Sequence, residues 1–310
     1  MSYYKSGMVI KLAREANGMS QEELAENVCA VQTLSRIENG KTGVKKETYR
    51  QLMNKLEAFS ERNYAICTGE DLKIMEYKEY IADSIRMHHY DEAEVYLKKL
   101  EQEKISGKAH KQYLLWSSAV IRKALGKISL EENLVELKKA LKLTVPNYEK
   151  YYEKVYPFTS QETMILMNIG NNYAKMEGEG NKEKAIKIYD MLSNNLSYGY
   201  MSQQDTNKII IVVNYNKMKA LGGLGKFKES YEIGERILKL SKEWCYTVTI
   251  PIIMGEMAWD ISREIKYGEL DVSYKEKAYH YLHAAYYIAA ANSDDIVKMQ
   301  IEGELQKLVE

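Results

Sequence analysis

Apolar residues along most of this chain recur three and four positions apart, the period of a helix with one buried face. From about residue 71 the run Ile81, Ile85, Tyr90, Ala93, Leu97, Leu100 sets the pattern, and no series of alternating positions interrupts it to mark a strand. Four stretches share a form: a helix, a short turn, then a helix that begins with an acidic or basic run and a small residue. They lie at 88–100, 179–192, 224–240 and 273–290, and aligning them superposes Ala93, Ala185, Ser230 and Ala278. A small side chain near the start of each second helix lets the first helix approach closely. The spacing between the four is not constant, so the likeness is one of unit type. Helix pairs of this kind have apolar faces too large to bury alone and stack into a curved array with a concave surface, at roughly 34 residues per pair. An ordinary all-helical bundle satisfies the same periodicity.

Residues 1–66 have a different texture, with short helices divided by turns at Asn17-Gly18, Cys29-Ala30 and Asn39-Gly40. Ser20 followed by Glu23 is a capping box and starts a helix there. Leu24, Ala25 and Val28 turn one face of that helix inward, and Cys29-Ala30 is expected to end it. A following helix begins at Val31 or Gln32, buries Leu34 and Ile37, and closes at Asn39-Gly40. Val9, Ile10 and Ala13 line an earlier helix, Tyr49, Leu52, Met53 and Leu56 a later one, and Met19 caps the small core. A unit of this size and order fits a helix-turn-helix DNA reader. Gln32, Thr33, Ser35 and Arg36 then point away from Leu34 and Ile37, and their side chains can pair with base edges or phosphates in a major groove. Gln21 is placed to brace Gln32 or to donate to a phosphate, and Lys41 extends the basic side of the turn. The plain alternative is a set of solvated polar positions.

Charge sharpens this reading. Lys plus Arg and Asp plus Glu both total 44, so no global positive field draws a polyanion, and nucleic acid must be held by a local patch. Arg36, Lys41, Lys45 and Lys46 fall around one turn and supply such a patch. Only 3 prolines and 18 glycines agree with long helices. Cys29, Cys67 and Cys245 are scattered without a C-x-x-C spacing, which argues against a disulfide scaffold or thiolate zinc site. His280 and His283 are three apart but lack the Glu of a recognised H-E-x-x-H metal motif, and Gly223–Lys226 lacks the spacing of a phosphate loop. Neither metal, cofactor nor enzymatic activity is therefore expected. The most apolar runs, 209–213 and 284–291, fall short of the roughly 20 residues that a bilayer requires, so a soluble, cytoplasmic protein is expected.

Gly7, Ile10, Arg14, Gly18, Ser20-Gln21, Glu23-Leu24-Ala25 and Ser35-Arg36-Ile37-Glu38-x-Gly40 resemble the helix-turn-helix motif of the phage lambda and 434 repressors. The turn from Cys29 to Ser35 is one residue shorter than the common form. In that respect it is similar to the peptide-responsive regulators of Gram-positive bacteria, the Rgg, PlcR, NprR and PrgX group. Ala140-Leu141-x-Leu143-Thr144-Val145-Pro146, the helix at 165–173, and Val212-Val213-Asn214-Tyr215 resemble parts of the repeat array in those regulators.

The resemblance implies an all-α fold in which a lambda-repressor-like helix-turn-helix domain, 1–66, precedes a right-handed tetratricopeptide-like solenoid, 67–310. It also implies a structural brace between Arg14 and Glu38, and a homodimer that reads a double-stranded DNA operator and responds to a short signalling peptide. Concave-face asparagines would clamp the peptide backbone. Gly170 and Tyr173 fit the small and aromatic positions of one first helix and turn Asn171 inward; Asn214 faces inward from the next. An asparagine amide offers a donor and an acceptor to a peptide main chain whatever its side chains. A linker at 59–70 would carry the response. The competing readings are a constitutive regulator, or a scaffold whose repeats hold a protein partner.

Overall fold

In the computed structural model, residues 6–56, 69–103, 107–244, 246–268, 270–292 and 294–309 are described, and their regular structure is helical, without an extended strand. They fall into two compact units that meet in sequence between Met176 and Glu177. The first holds nine α-helices: α1 (Ser6–Ala16), α2 (Gln21–Ala25), α3 (Val31–Glu38), α4 (Lys46–Lys55), α5 (Gly69–Arg86), α6 (Tyr90–Glu101), α7 (Lys108–Ala124), α8 (Leu130–Lys142) and α9 (Ser160–Lys175). The second holds six: α10 (Asn181–Ser197), α11 (Gln203–Gly222), α12 (Phe227–Glu243), α13 (Ile250–Lys266), α14 (Tyr274–Ala291) and α15 (Asp295–Val309).

Local chemistry sets many of the boundaries. Ser20 Oγ accepts from the Glu23 amide while Glu23 accepts from the Ser20 amide, so the expected capping box is formed. Ser129 with Glu132 and Thr159 with Glu162 start α8 and α9 in the same way. Gly40, at φ +67°, closes α3 in the left-handed region. One boundary differs from expectation. Helix α2 stops at Ala25 rather than at Cys29-Ala30, because Glu26 leaves helical geometry and Asn27 adopts φ +59°, a left-handed conformation that asparagine tolerates. Val28 is consequently only half-buried.

Within α5–α9 each helix packs on the next, as do those of α10–α15, and α13 also touches both α11 and α15. Contact between alternate helices is the signature of stacked helix pairs. The four aligned small residues, Ala93, Ala185, Ser230 and Ala278, are all wholly buried. Their lack of bulk brings neighbouring helices together. Tyrosine serves as core as well as surface: Tyr151, Tyr156 and Phe158 nest between α8 and α9 in sequence, with ring centroids 3.9 and 4.9 Å apart along the series. Most of the expected linker at 59–70 lies outside the described residues.

Candidate nucleic-acid interface and repeat asparagines

The small N-terminal core is built from Val9, Ile10, Leu12 and Ala13 of α1, Leu24 and Ala25 of α2, Leu34 and Ile37 of α3, and Tyr49, Leu52 and Met53 of α4. Helix α1 lies so near α3 that a β-carbon at Gly7 would stand 1.9 Å from the Ile37 carbonyl oxygen. Only glycine fits there without moving α3. Beneath α3, Arg14 and Glu38 form a buried fork: Nε donates to Oε1 at 2.7 Å and Nη2 to Oε2 at 2.9 Å. Arg14 Nη1 also donates to the Met19 carbonyl at 2.9 Å. The Glu38 hydrogen bond raises the guanidinium's pKa further, against the effect of burial.

Gln21 is placed differently from expectation. Its Nε2 donates to Glu38 Oε2 at 2.6 Å, so it joins the Arg14–Glu38 brace instead of supporting Gln32. The reason is electrostatic, since a buried carboxylate already facing one guanidinium still has lone pairs to satisfy. One carboxylate thereby ties α1, the first turn of α2 and the last turn of α3.

Gln32, Thr33 and Arg36 lie on one exposed side of α3, while Ser35 is half-buried at its flank. Lys41 is exposed just past the helix, where its amide donates to the Arg36 carbonyl at 2.8 Å, and Lys45 is exposed beyond it. The arrangement presents Arg36 with several amide or hydroxyl groups from a helix whose inner face is fixed, and two lysines just beyond it. Such a surface can meet phosphates and base edges. Sequence reading missed Lys55, whose ammonium donates to the carbonyls of Glu23 at 2.8 Å and Glu26 at 2.7 Å. It covers the open end of α2 from 29 and 32 residues away, a distance at which no spacing rule operates.

In α9, Asn168 accepts from the Trp116 indole at 2.8 Å and Asn172 accepts from Asn133 at 3.1 Å. These two asparagines link helices. Asn171, between them in sequence, is half-buried. In α11, Asn214 is half-buried and donates to the Ile210 carbonyl at 2.8 Å, with a longer 3.4 Å contact to Ser193. Asn207, two turns earlier, has a buried Nδ2 without a partner among the described residues.

Other candidate chemistry has ordinary surroundings. Cys29 is half-buried and burial pushes its thiol pKa up, so its reactive thiolate is disfavoured; Cys67 and Cys245 lie outside the described residues. His280 faces Glu276 at 3.5 Å and His283 packs on Tyr279 with centroids 4.2 Å apart. Among the described residues no group of three or more His, Cys, Asp or Glu is placed to hold a metal ion, and no helix is long and apolar enough to cross a membrane.

Residues 10–58 match the helix-turn-helix family model. No curated protein matches the chain by sequence at a significant level. Among solved structures, Bacillus thuringiensis PlcR in complex with the peptide PapR7 and DNA is 21% identical, with a TM-score of 0.58 over 99% of this chain and 100% of that one. PlcR in its apo form gives a TM-score of 0.60 at 18% identity, covering 95% of this chain and 99% of that one. ComR from S. thermophilus, in complex with DNA and its signalling peptide ComS, gives 0.55 at 15% identity, covering 98% of this chain and 100% of that one. The chain thus carries a helix-turn-helix domain at residues 10–58 and has, over nearly its whole length, the fold of ComR and of PlcR, the latter one of the regulators that its sequence resembles.

Proposed function

We propose that this protein is a sequence-specific DNA-binding transcription regulator whose repeat region senses a short peptide. The observation that carries the reading is the exposed side of α3, where Gln32, Thr33 and Arg36 project from a helix anchored by Arg14, Glu38 and Gln21. PlcR and ComR, which share the fold, have been crystallised with both DNA and a peptide, and that lends support. In this reading Gln32, Thr33, Ser35 and Arg36 meet base edges, and Gln21 and Lys41 meet phosphates. Two copies bind two half-sites, so a homodimer is required. The protein works in the cytoplasm by binding and carries out no catalysis. A peptide changes DNA occupancy only through its different affinity for two arrangements of the dimer.

Replacing Arg36 or Gln32 with Ala should relax specificity by about 1–3 kcal/mol at the contacted base pair. Lys41→Ala should instead weaken binding to all sequences and lower the salt slope by about 1. Fluorescence anisotropy on the DNA upstream of the gene, over a series of salt concentrations, measures both. Unchanged affinity in the Arg36 and Gln32 variants would remove α3 from the reading surface.

For the peptide, Asn171→Ala and Asn214→Ala should each weaken binding by about 1–3 kcal/mol, the cost of leaving a backbone group unpaired. Calorimetry with short peptides encoded beside the gene tests it. Wild-type affinity in both variants would place the peptide elsewhere, and no heat with any peptide would favour a constitutive regulator.

A further inference from the structure

Asp260, in the middle of α13, is wholly buried. Its Oδ2 lies 2.6 Å from Ser230 Oγ of α12, and the same hydroxyl lies 3.2 Å from the Met218 carbonyl oxygen of α11. A serine hydroxyl has one hydrogen and cannot donate to both oxygens. A protonated carboxyl resolves the conflict: Asp260 donates to Ser230, and Ser230 donates to Met218. An ionised carboxylate would instead take the serine hydrogen and release the Met218 contact. It would also leave Oδ1, which has no partner among the described residues, carrying charge away from water.

The surroundings favour the neutral acid. On one side Gly222 of α11 is packed so closely that a β-carbon there would stand 3.3 Å from Asp260 Oδ1 and 2.9 Å from the Trp259 ring. Helix α14 meets this part of the core with Ala278, Leu282, Ala285 and Ala289. Along α13, Glu256 and Glu264 add negative charge, while Arg263 lies over the Trp259 ring. Lys219 of α11 and Glu304 of α15 act on Glu256, in opposite senses. Among the described residues no cation forms an ion pair with Asp260. Burial, reinforced by the two glutamates and opposed by Ser230, pushes its pKa up to about 8.

We propose that Asp260 is a neutral carboxylic acid that clasps α11, α12 and α13 through Ser230, and that loss of its proton opens the clasp and loosens this unit in alkaline solution. This device is independent of the DNA and peptide reading. A folded-state pKa above the unfolded value of 3.8 means that the folded form holds an extra proton between the two. Stability from this group therefore falls as pH rises through that window and levels off above about 8.

Infrared spectroscopy and hydrogen exchange on the full chain test the proposal. At neutral pH the wild type should show a protonated-carboxyl stretch that Asp260→Asn removes. Raising the pH should abolish that band and lower exchange protection across α11–α13, whereas Asp260→Asn should keep its protection over the same range. Ser230→Ala removes the acceptor of the acid's proton but also the anion's one donor, and because the charge-assisted bond is the stronger of the two, the band should persist to higher pH. Absence of the band at neutral pH, or an equal loss of protection in wild type and Asp260→Asn, would overturn the proposal. Should Asp260→Asn fail to fold, a band whose midpoint does not move in Ser230→Ala would overturn it as well.

Discussion

Glu38→Ala should destabilise the helix-turn-helix domain by about 3–5 kcal/mol, the usual cost of stranding one partner of a buried ion pair. The carboxylate accepts from Arg14 twice and from Gln21 once, so its loss leaves a buried guanidinium with only the exposed Glu15 carboxylate at 3.5 Å for counter-charge and frees the start of α2. Glu38→Gln keeps the shape and one acceptor and should lose less. The three tryptophans are Trp116, Trp244 and Trp259, all outside this domain. Fluorescence excited selectively at tryptophan therefore follows the repeats alone, and hydrogen exchange in α1–α3 follows the domain. The expected result is lost protection in α1–α3 with an unchanged fluorescence transition. Full protection in α1–α3 of Glu38→Ala would mean that the apolar contacts of Leu34 and Ile37 hold the helix unaided. Operator binding should fall with the stability, because α3 can read a groove only while its inner face is fixed.

What could be read from the sequence was mostly local. The Ser20–Glu23 capping box, the Gly40 stop, the inward stripe of Leu34 and Ile37, and the small residues at Ala93, Ala185, Ser230 and Ala278 all rest on contacts within a turn or on helical period. The Arg14–Glu38 pair was legible only through resemblance to known repressors. Partners across helices were not legible. Gln21 reaches Glu38 rather than Gln32, and Asn168 and Asn172 face Trp116 and Asn133. Each choice depends on crossing angle and rotamer, which neither composition nor periodicity encodes. The early end of α2 depended on Asn27 taking a left-handed conformation, an option that asparagine has but does not always use. Asp260 looked like any helical acid in a chain with 44 acidic residues; only packing against Gly222 and Ser230 set it apart.

The other large effect is expected at Trp116 in α7. Trp116→Ala should destabilise the first unit's repeats by about 3–5 kcal/mol, since truncating a buried aromatic ring removes its transfer free energy and leaves a cavity. The ring is 5% exposed and packs on Tyr113 with centroids 5.6 Å apart, while Tyr113 donates to the Lys78 carbonyl of α5 at 3.1 Å. Its indole N–H donates to Asn168 of α9, so Trp116 and Tyr113 together connect α5, α7 and α9 in series. Trp116→Phe separates the two contributions. It retains much of the apolar ring but leaves Asn168 without its donor, which should cost about 1–3 kcal/mol. Denaturant unfolding followed by circular dichroism, with hydrogen exchange in α7 and α9, measures both variants. An alanine variant no less stable than the phenylalanine variant would show that the hydrogen bond, not the buried ring, holds α7 to α9. Asn171 is on the same helix as Asn168 and three residues beyond it, so a shift of α9 displaces it directly. Peptide affinity should consequently fall in Trp116→Phe even though Trp116 itself touches no ligand in the proposed arrangement. An unaltered affinity there, beside a measured loss of stability, would detach Asn171 from the peptide site.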